Sequence, residues 1–124
     1  MLSPSQIKLH KKSQTLELVF DGQSYHLPSE LLRVFSPSAE VRGHGKDQEI
    51  LQTGKKFVAI NNIEAIGNYA IKLTFDDGHN TGIYSWDYLL DLSQNQEVHW
   101  QHYLDLLEKA GAKRSPTEIG RWSS

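Results

Sequence analysis

From Tyr69 to Asp76 the side chains alternate: Tyr69, Ile71, Leu73 and Phe75 fall on one side, Ala70, Lys72, Thr74 and Asp76 on the other. A period of two sends successive side chains to opposite faces of a strand, so this segment reads as a strand with one apolar and one polar face. Asp77-Gly78 follows at once. That dipeptide favours two-residue hairpin loops, because both positions accept positive φ. The pattern therefore commits this part of the chain to antiparallel pairing. It predicts a return strand over His79–Tyr84, with Asp76 opposite His79 and Thr74 opposite Thr81 on the polar face.

Shorter alternations surround this hairpin. Ile7 and Leu9, then Leu16, Leu18 and Phe20, predict two strands, and Asp21-Gly22 turns into a third over Ser24–Leu27. Phe57–Ile60 reads as a buried strand, and Gln48–Gln52 as an irregular one. Pro28-Ser29-Glu30 opens a short helix, with Ser29 as its cap and Leu31, Leu32 and Phe35 facing inward. Ser85 caps a further helix carrying Trp86, Leu89 and Leu90. A last helix starts near Asn95, with Trp100, Tyr103, Leu104, Leu107 and Ala110 at helical spacing and Gly111 as its stop. Ser36 to Lys56 keeps no period, and a connection of that length tends to carry function. The expected fold is α+β: a small, mainly antiparallel sheet with a short helix after the N-terminal strands and C-terminal helices. Residues 1–113 are read as a single domain, with 95–111 an added C-terminal helix and 114–124 a loose tail.

Composition removes several function classes. The 124 residues include no Cys, so thiolate catalysis, Cys-ligated zinc and Cys-ligated iron–sulfur clusters are excluded. Thirteen Lys and Arg against 15 Asp and Glu give a net charge of −2, unlike a basic nucleic-acid binder. There is no membrane-length apolar run and no signal-peptide layout, so a cytoplasmic location is expected.

The six His are the residues to weigh for chemistry. His79 sits at the predicted hairpin beside Asp76 and Asp77, and His44 lies between two glycines four residues after Glu40. His79, His44 and Glu40 would suit zinc or ferrous iron; hydrogen bonding at the turn is the plainer alternative. His99 and His102 are three apart on a helix but lack an evident third ligand, and His10 and His26 read as ordinary polar strand positions. Gly54-Lys55-Lys56 fails as a phosphate loop, because Glu49 and Lys56 occupy positions that need Gly and Ser or Thr. Ser36 and Ser38 flank Pro37 without the surroundings of a nucleophile elbow. Arg33, Arg42, His44 and Lys46 could meet an acidic partner. Tyr84 and Trp86 could anchor an interface, although their places in the pattern favour core packing.

Two segments carry a resemblance. Leu32-Arg33-Val34-Phe35-Ser36-Pro37-Ser38-Ala39-Glu40-Val41-Arg42-Gly43-His44-Gly45 and Phe75-Asp76-Asp77-Gly78-His79-Asn80-Thr81-Gly82-Ile83-Tyr84-Ser85-Trp86 resemble the γ-butyrobetaine hydroxylase-like N-terminal domain family, whose stand-alone bacterial members have no known function. The resemblance runs over about residues 7–92. In carnitine-synthesis hydroxylases a similar domain precedes an iron- and 2-oxoglutarate-dependent catalytic domain and holds zinc through three Cys and one His. A similar domain is also attached to P-loop ATPases that carry iron–sulfur clusters. Carried over by position, the three zinc Cys fall on Ser36, Ser38 and Val41, and the zinc His on His79.

The resemblance thus implies a non-catalytic binding or accessory module, without resident cofactor, serving a protein partner that handles iron or iron–sulfur clusters. Arg33, Ser36, Ser38, Arg42, His44, Asp76, Asp77, Tyr84 and Trp86 are its expected interaction surface. The alternative is a divalent-metal protein using His79, His44 and Glu40. A scaffold, whose motif residues only stabilise loop and hairpin, is the third reading.

Overall fold

The computed structural model describes residues 2–42 and 50–116. The Asp21-Gly22 turn sets the register of the first sheet. Asp21 and Gly22 have φ of 49° and 80°, as a two-residue hairpin requires, and Phe20 pairs with Gln23 across it. Strands β1 (Gln6–His10), β2 (Thr15–Phe20) and β3 (Gln23–Pro28) form an antiparallel sheet in chain order. Leu16, Leu18 and Phe20 are buried, while Glu17 and Val19 remain partly open to solvent, so the predicted alternation is observed.

Helix α1 (Ser29–Val34) follows, but Ser29 is not its cap. Pro28 occupies that position without a side-chain cap bond. The Ser29 hydroxyl instead donates to the Gln14 carbonyl and Gln14 Oε1, each at 3.1 Å, because Ser29 packs inward against the β1–β2 turn. A short α2 (Ala39–Arg42) interrupts the segment expected to lack structure. His44, with Gly43, Gly45 and Lys46, lies outside the described residues. So do Gln48 and Glu49 of the predicted irregular strand, whose described part, Ile50–Gln52, is not in a strand.

The second sheet is antiparallel too: β4 (Ile60–Ile66), β5 (Ala70–Phe75) and β6 (Ile83–Ser85). The expected strand at Phe57–Ile60 begins only at Ile60. Phe57 is 71% exposed, and the Lys56 ammonium lies 5.4 Å from its ring centroid, while Lys55 to Val58 form a turn closed by the Val58 N–H and the Lys55 carbonyl. The hairpin expected over 76–79 is also altered. Pairs Ala70↔Ser85, Ile71↔Tyr84 and Lys72↔Ile83 keep the predicted register. At the turn, however, the Phe75 N–H donates to the His79 carbonyl, so three residues loop out. Gly78 takes φ 90° there. This one-residue slip removes His79 from its place opposite Asp76 and turns it inward.

Both sheets feed one core. Leu16, Leu18, Phe20 and Leu27 of the first sheet share it with Ile71, Leu73, Phe75 and Tyr84 of the second. Leu31 and Leu32 of α1 join them, with Trp86, Leu89 and Leu92 of α3 (Trp86–Gln94). Ser85 caps α3 as predicted, its Oγ accepting from the Tyr88 N–H at 3.2 Å. Helix α4 (Gln96–Ala110) ends at Gly111, which takes φ 64°. Tyr103 and Leu107 of α4 form a second buried cluster with Val34.

Arg114 corrects the expectation of a tail loose from its first residue. Its guanidinium makes two bonds of 2.8 and 2.7 Å to the Glu30 carboxylate and lies 5.1 Å from the Trp100 ring centroid. Residues 117–124 lie outside the description. Arg114→Met leaves the buried Glu30 carboxylate unpaired, and urea denaturation should show a loss of about 1–3 kcal/mol. An unchanged midpoint would show that the pair contributes nothing.

Candidate functional site

The corner between α1 and α2 meets the β5–β6 turn. Pro37 lacks an N–H and α1 stops before it; the Ser36 N–H donates back to the Arg33 carbonyl, and the Ser38 carbonyl accepts from Val41 and Arg42 to start α2. These turns bring the residues flanking Pro37 onto His79. Ser36 Oγ lies 2.8 Å and Ser38 Oγ 3.4 Å from His79 Nε2. Glu40 Oε2 lies 3.3 Å from the other ring nitrogen, Nδ1. A carboxylate can only accept, which assigns the ring proton to Nδ1 and makes Nε2 the acceptor of the Ser36 hydroxyl.

The serine side of this cluster is closed, while the Glu40 side chain is exposed. Ser36 has no exposed surface, and the His79 side chain is 4% exposed. Gly82 lies against Ser36 so tightly that a Cβ there would overlap Oγ. The order Ser–His–Glu has the connectivity of a nucleophile, base and orienting acid, but a hydroxyl without accessible surface cannot meet a substrate. Burial, then the Arg33 charge, hold His79 below its ordinary range, against the opposing pull of Glu40 and Asp77. The ring is therefore a neutral hydrogen-bonding group.

A second tie runs beside it. Arg33 Nε donates to Asp77 Oδ2 at 2.8 Å, with the Arg33 side chain 8% exposed. Lys55 Nζ reaches the same oxygen at 2.8 Å, and the His79 N–H donates to Oδ1 at 3.1 Å. Burial opposes ionisation of Asp77, but these three donors outweigh it and lower its pKa to about 2. Arg33 Nη1 is buried with no hydrogen-bond partner among the described residues.

The expected surface set therefore divides. Arg33, Ser36 and Ser38 are buried inside the molecule, whereas Arg42, Asp76 and Asp77 reach solvent, Asp77 with its carboxylate held by Arg33 and Lys55. Tyr84 and Trp86 are not interface anchors: they are 0% and 8% exposed, because β6 turns Tyr84 into the core and Trp86 opens α3 beneath it. The Tyr84 hydroxyl donates to the Leu32 carbonyl, and the Trp86 indole N–H to the Asn68 carbonyl. His99 Nε2 meets Asp91 at 2.9 Å.

A cluster overlooked in the sequence lies on the outer face of the first sheet. His10 Nε2 and Glu17 Oε1 are 2.7 Å apart, and His26 Nε2 is 3.6 Å from the same oxygen. Hydrogen bonds from His10, then from Ser24, hold the Glu17 carboxyl below the usual range. Among the described residues these three form the group whose ligand atoms converge for a metal ion. The Asp21-Gly22 turn carried the signal, because its register places Glu17 opposite His26.

A profile described as gamma-butyrobetaine hydroxylase-like, N-terminal, matches residues 7–90. The chain belongs to that family. It is similar to two proteins with NMR solution structures, at 50% and 53% identity and TM-scores of 0.84 and 0.80. Those matches cover 95% and 94% of this chain, and 94% and 87% of theirs. It is also 37% identical to a DUF971-family protein of unknown function from Acidithiobacillus ferrooxidans, with a TM-score of 0.62 over 73% of this chain and 92% of that one. No curated protein matches. Among the described residues no helix is long and apolar enough to cross a membrane.

The zinc site implied by the family resemblance does not fit these residues. Two of its Cys positions hold hydroxyls that bond to His79, and the third holds the buried, donorless Val41. Of the alternative set, Glu40 and His79 are adjacent, and His44 falls outside the described residues.

His79 has an ordinary pKa of 6.5 and a lower one in the fold, so the unfolded chain binds the proton more readily. Its contribution to stability is complete above that value and is lost as pH falls through the folded pKa. Urea unfolding between about pH 7.5 and 5 should show stability falling with acid, and His79→Gln should flatten that slope. Equal slopes would refute the assignment.

Proposed function

We propose that this domain is a non-catalytic accessory module that binds a protein partner, and that the partner handles iron or iron–sulfur clusters. The observation that carries the binding role is a groove of about 730 Å³ beside the α1–α2 corner. Phe35, Val41, Leu51 and Tyr103 contribute apolar wall, and Arg42 and Lys109 line it with two cations against one carboxylate, Asp91, which His99 engages. That combination suits a partner segment with apolar side chains flanked by acidic ones. Ser36, Ser38 and His79 are buried, with Glu40 alone of that group exposed, which supports binding over catalysis. The iron connection rests on the company kept by similar domains in hydroxylases and in cluster-carrying ATPases. A cysteine-free chain suits a reducing compartment, and the cytoplasm is the location proposed. The alternative, a divalent ion on His79, His44 and Glu40, has less support because Ser36 already engages the ring nitrogen opposite Glu40.

Site-specific photocrosslinking in the native host tests the reading. A photoreactive residue at Ile50 or at His102 should trap the same partner, while one at Lys8 on β1 should not. Lys109→Glu should weaken binding of that purified partner at least about tenfold. Adducts that form equally from Lys8, or none from the groove, would overturn the proposal.

A further inference from the structure

We propose that His10, Glu17 and His26 form a surface site for a divalent transition-metal ion of the zinc type. The site goes beyond the binding role above and shares no residue with the groove. One ligand comes from each strand of the first sheet. Glu17 on β2 stands directly opposite His26 on β3, and His10 on β1 pairs with Thr15, two residues before Glu17 on the same face. Ladder hydrogen bonds fix the backbone of all three, so little order has to be created when an ion binds.

The distances suit such an ion. Two ligands about 2.0–2.1 Å from tetrahedral zinc lie about 3.3 Å apart. The observed separations from Glu17 Oε1 are 2.7 Å to His10 and 3.6 Å to His26, and all three ligand atoms lie within 4.8 Å of one another. The His26 separation is too long for a hydrogen bond, which leaves its Nε2 available as a ligand. Its side chain is 54% exposed and has room to adjust. The imidazole rings stand 5.7 Å apart, centroid to centroid, on either side of one carboxylate.

Support from outside the ligand set is present as well. Ser24 Oγ donates to Glu17 Oε2 at 2.7 Å, orienting the carboxylate so that Oε1 faces the two rings. Two imidazoles with one carboxylate select a borderline first-row cation over magnesium or calcium, which require shells of oxygen. With three protein ligands the remaining coordination position opens to solvent, as in catalytic or partner-completed zinc sites.

Calorimetric titration of untagged full-length protein with Zn²⁺, at about pH 7.5 where His is neutral, tests the site, with Co²⁺ absorption reporting geometry. The expected result is one ion per chain at about micromolar Kd or tighter, with a tetrahedral Co²⁺ spectrum. His26→Ala, at an exposed position, and Glu17→Gln should each weaken binding at least about tenfold, while His79→Gln leaves it unchanged. Circular dichroism establishes that each variant is folded. No saturable binding, equal binding by His26→Ala and Glu17→Gln, or loss in His79→Gln would overturn the proposal.

Discussion

The ion pair between Arg33 and Asp77 determines how the two halves of the domain meet. A guanidinium only 8% exposed is unfavourable in a fold unless a carboxylate meets it. Asp77 does so while also accepting from Lys55 and from the His79 N–H. Those bonds fix the three-residue loop after β5 and turn the His79 ring toward the α1–α2 corner. Ser36 and Ser38 then close on Nε2, Gly82 admits Ser36 at close range, and Tyr84 reaches the Leu32 carbonyl. A helix end and a hairpin from distant parts of the chain become one packed unit.

The same geometry gives meaning to the missing cysteines. Where the resemblance places three thiolates, this chain has Ser36, Ser38 and Val41, yet both hydroxyls still converge on the histidine. Neutral hydrogen bonds join the segments that a metal would otherwise join. Their strength in a buried site comes from low exposure to competing water. The cost is sensitivity to acid, because a protonated His79 would sit beside Arg33.

Much of this architecture was legible in the residues. The Asp21-Gly22 turn, the alternation over 15–20 and 71–75, the Ser85 cap and the Gly111 stop each depend on neighbouring residues, and each was observed, whereas Tyr69, expected on the apolar face, is exposed and Ala70, expected on the polar one, is buried. The departures have a different origin. The one-residue slip after Phe75 depends on Arg33, 44 positions away from Asp77, and no local pattern carries that contact. Ser29 failed as a cap because Gln14 claimed its hydroxyl. His10, Glu17 and His26 looked ordinary one strand at a time, and their convergence emerged only when the first hairpin's register was followed across all three strands.

His79 joins the α1–α2 corner to the hairpin as a buried hydrogen-bonding group. Long-range nitrogen–proton NMR of the imidazole rings measures this directly, because it reports which nitrogen carries the proton and whether a metal touches the ring. At about pH 7 His79 should be neutral, protonated at Nδ1, with Nε2 accepting from Ser36 and both signals unmoved by added zinc. A doubly protonated His79, or a zinc-induced shift at Nε2, would contradict it.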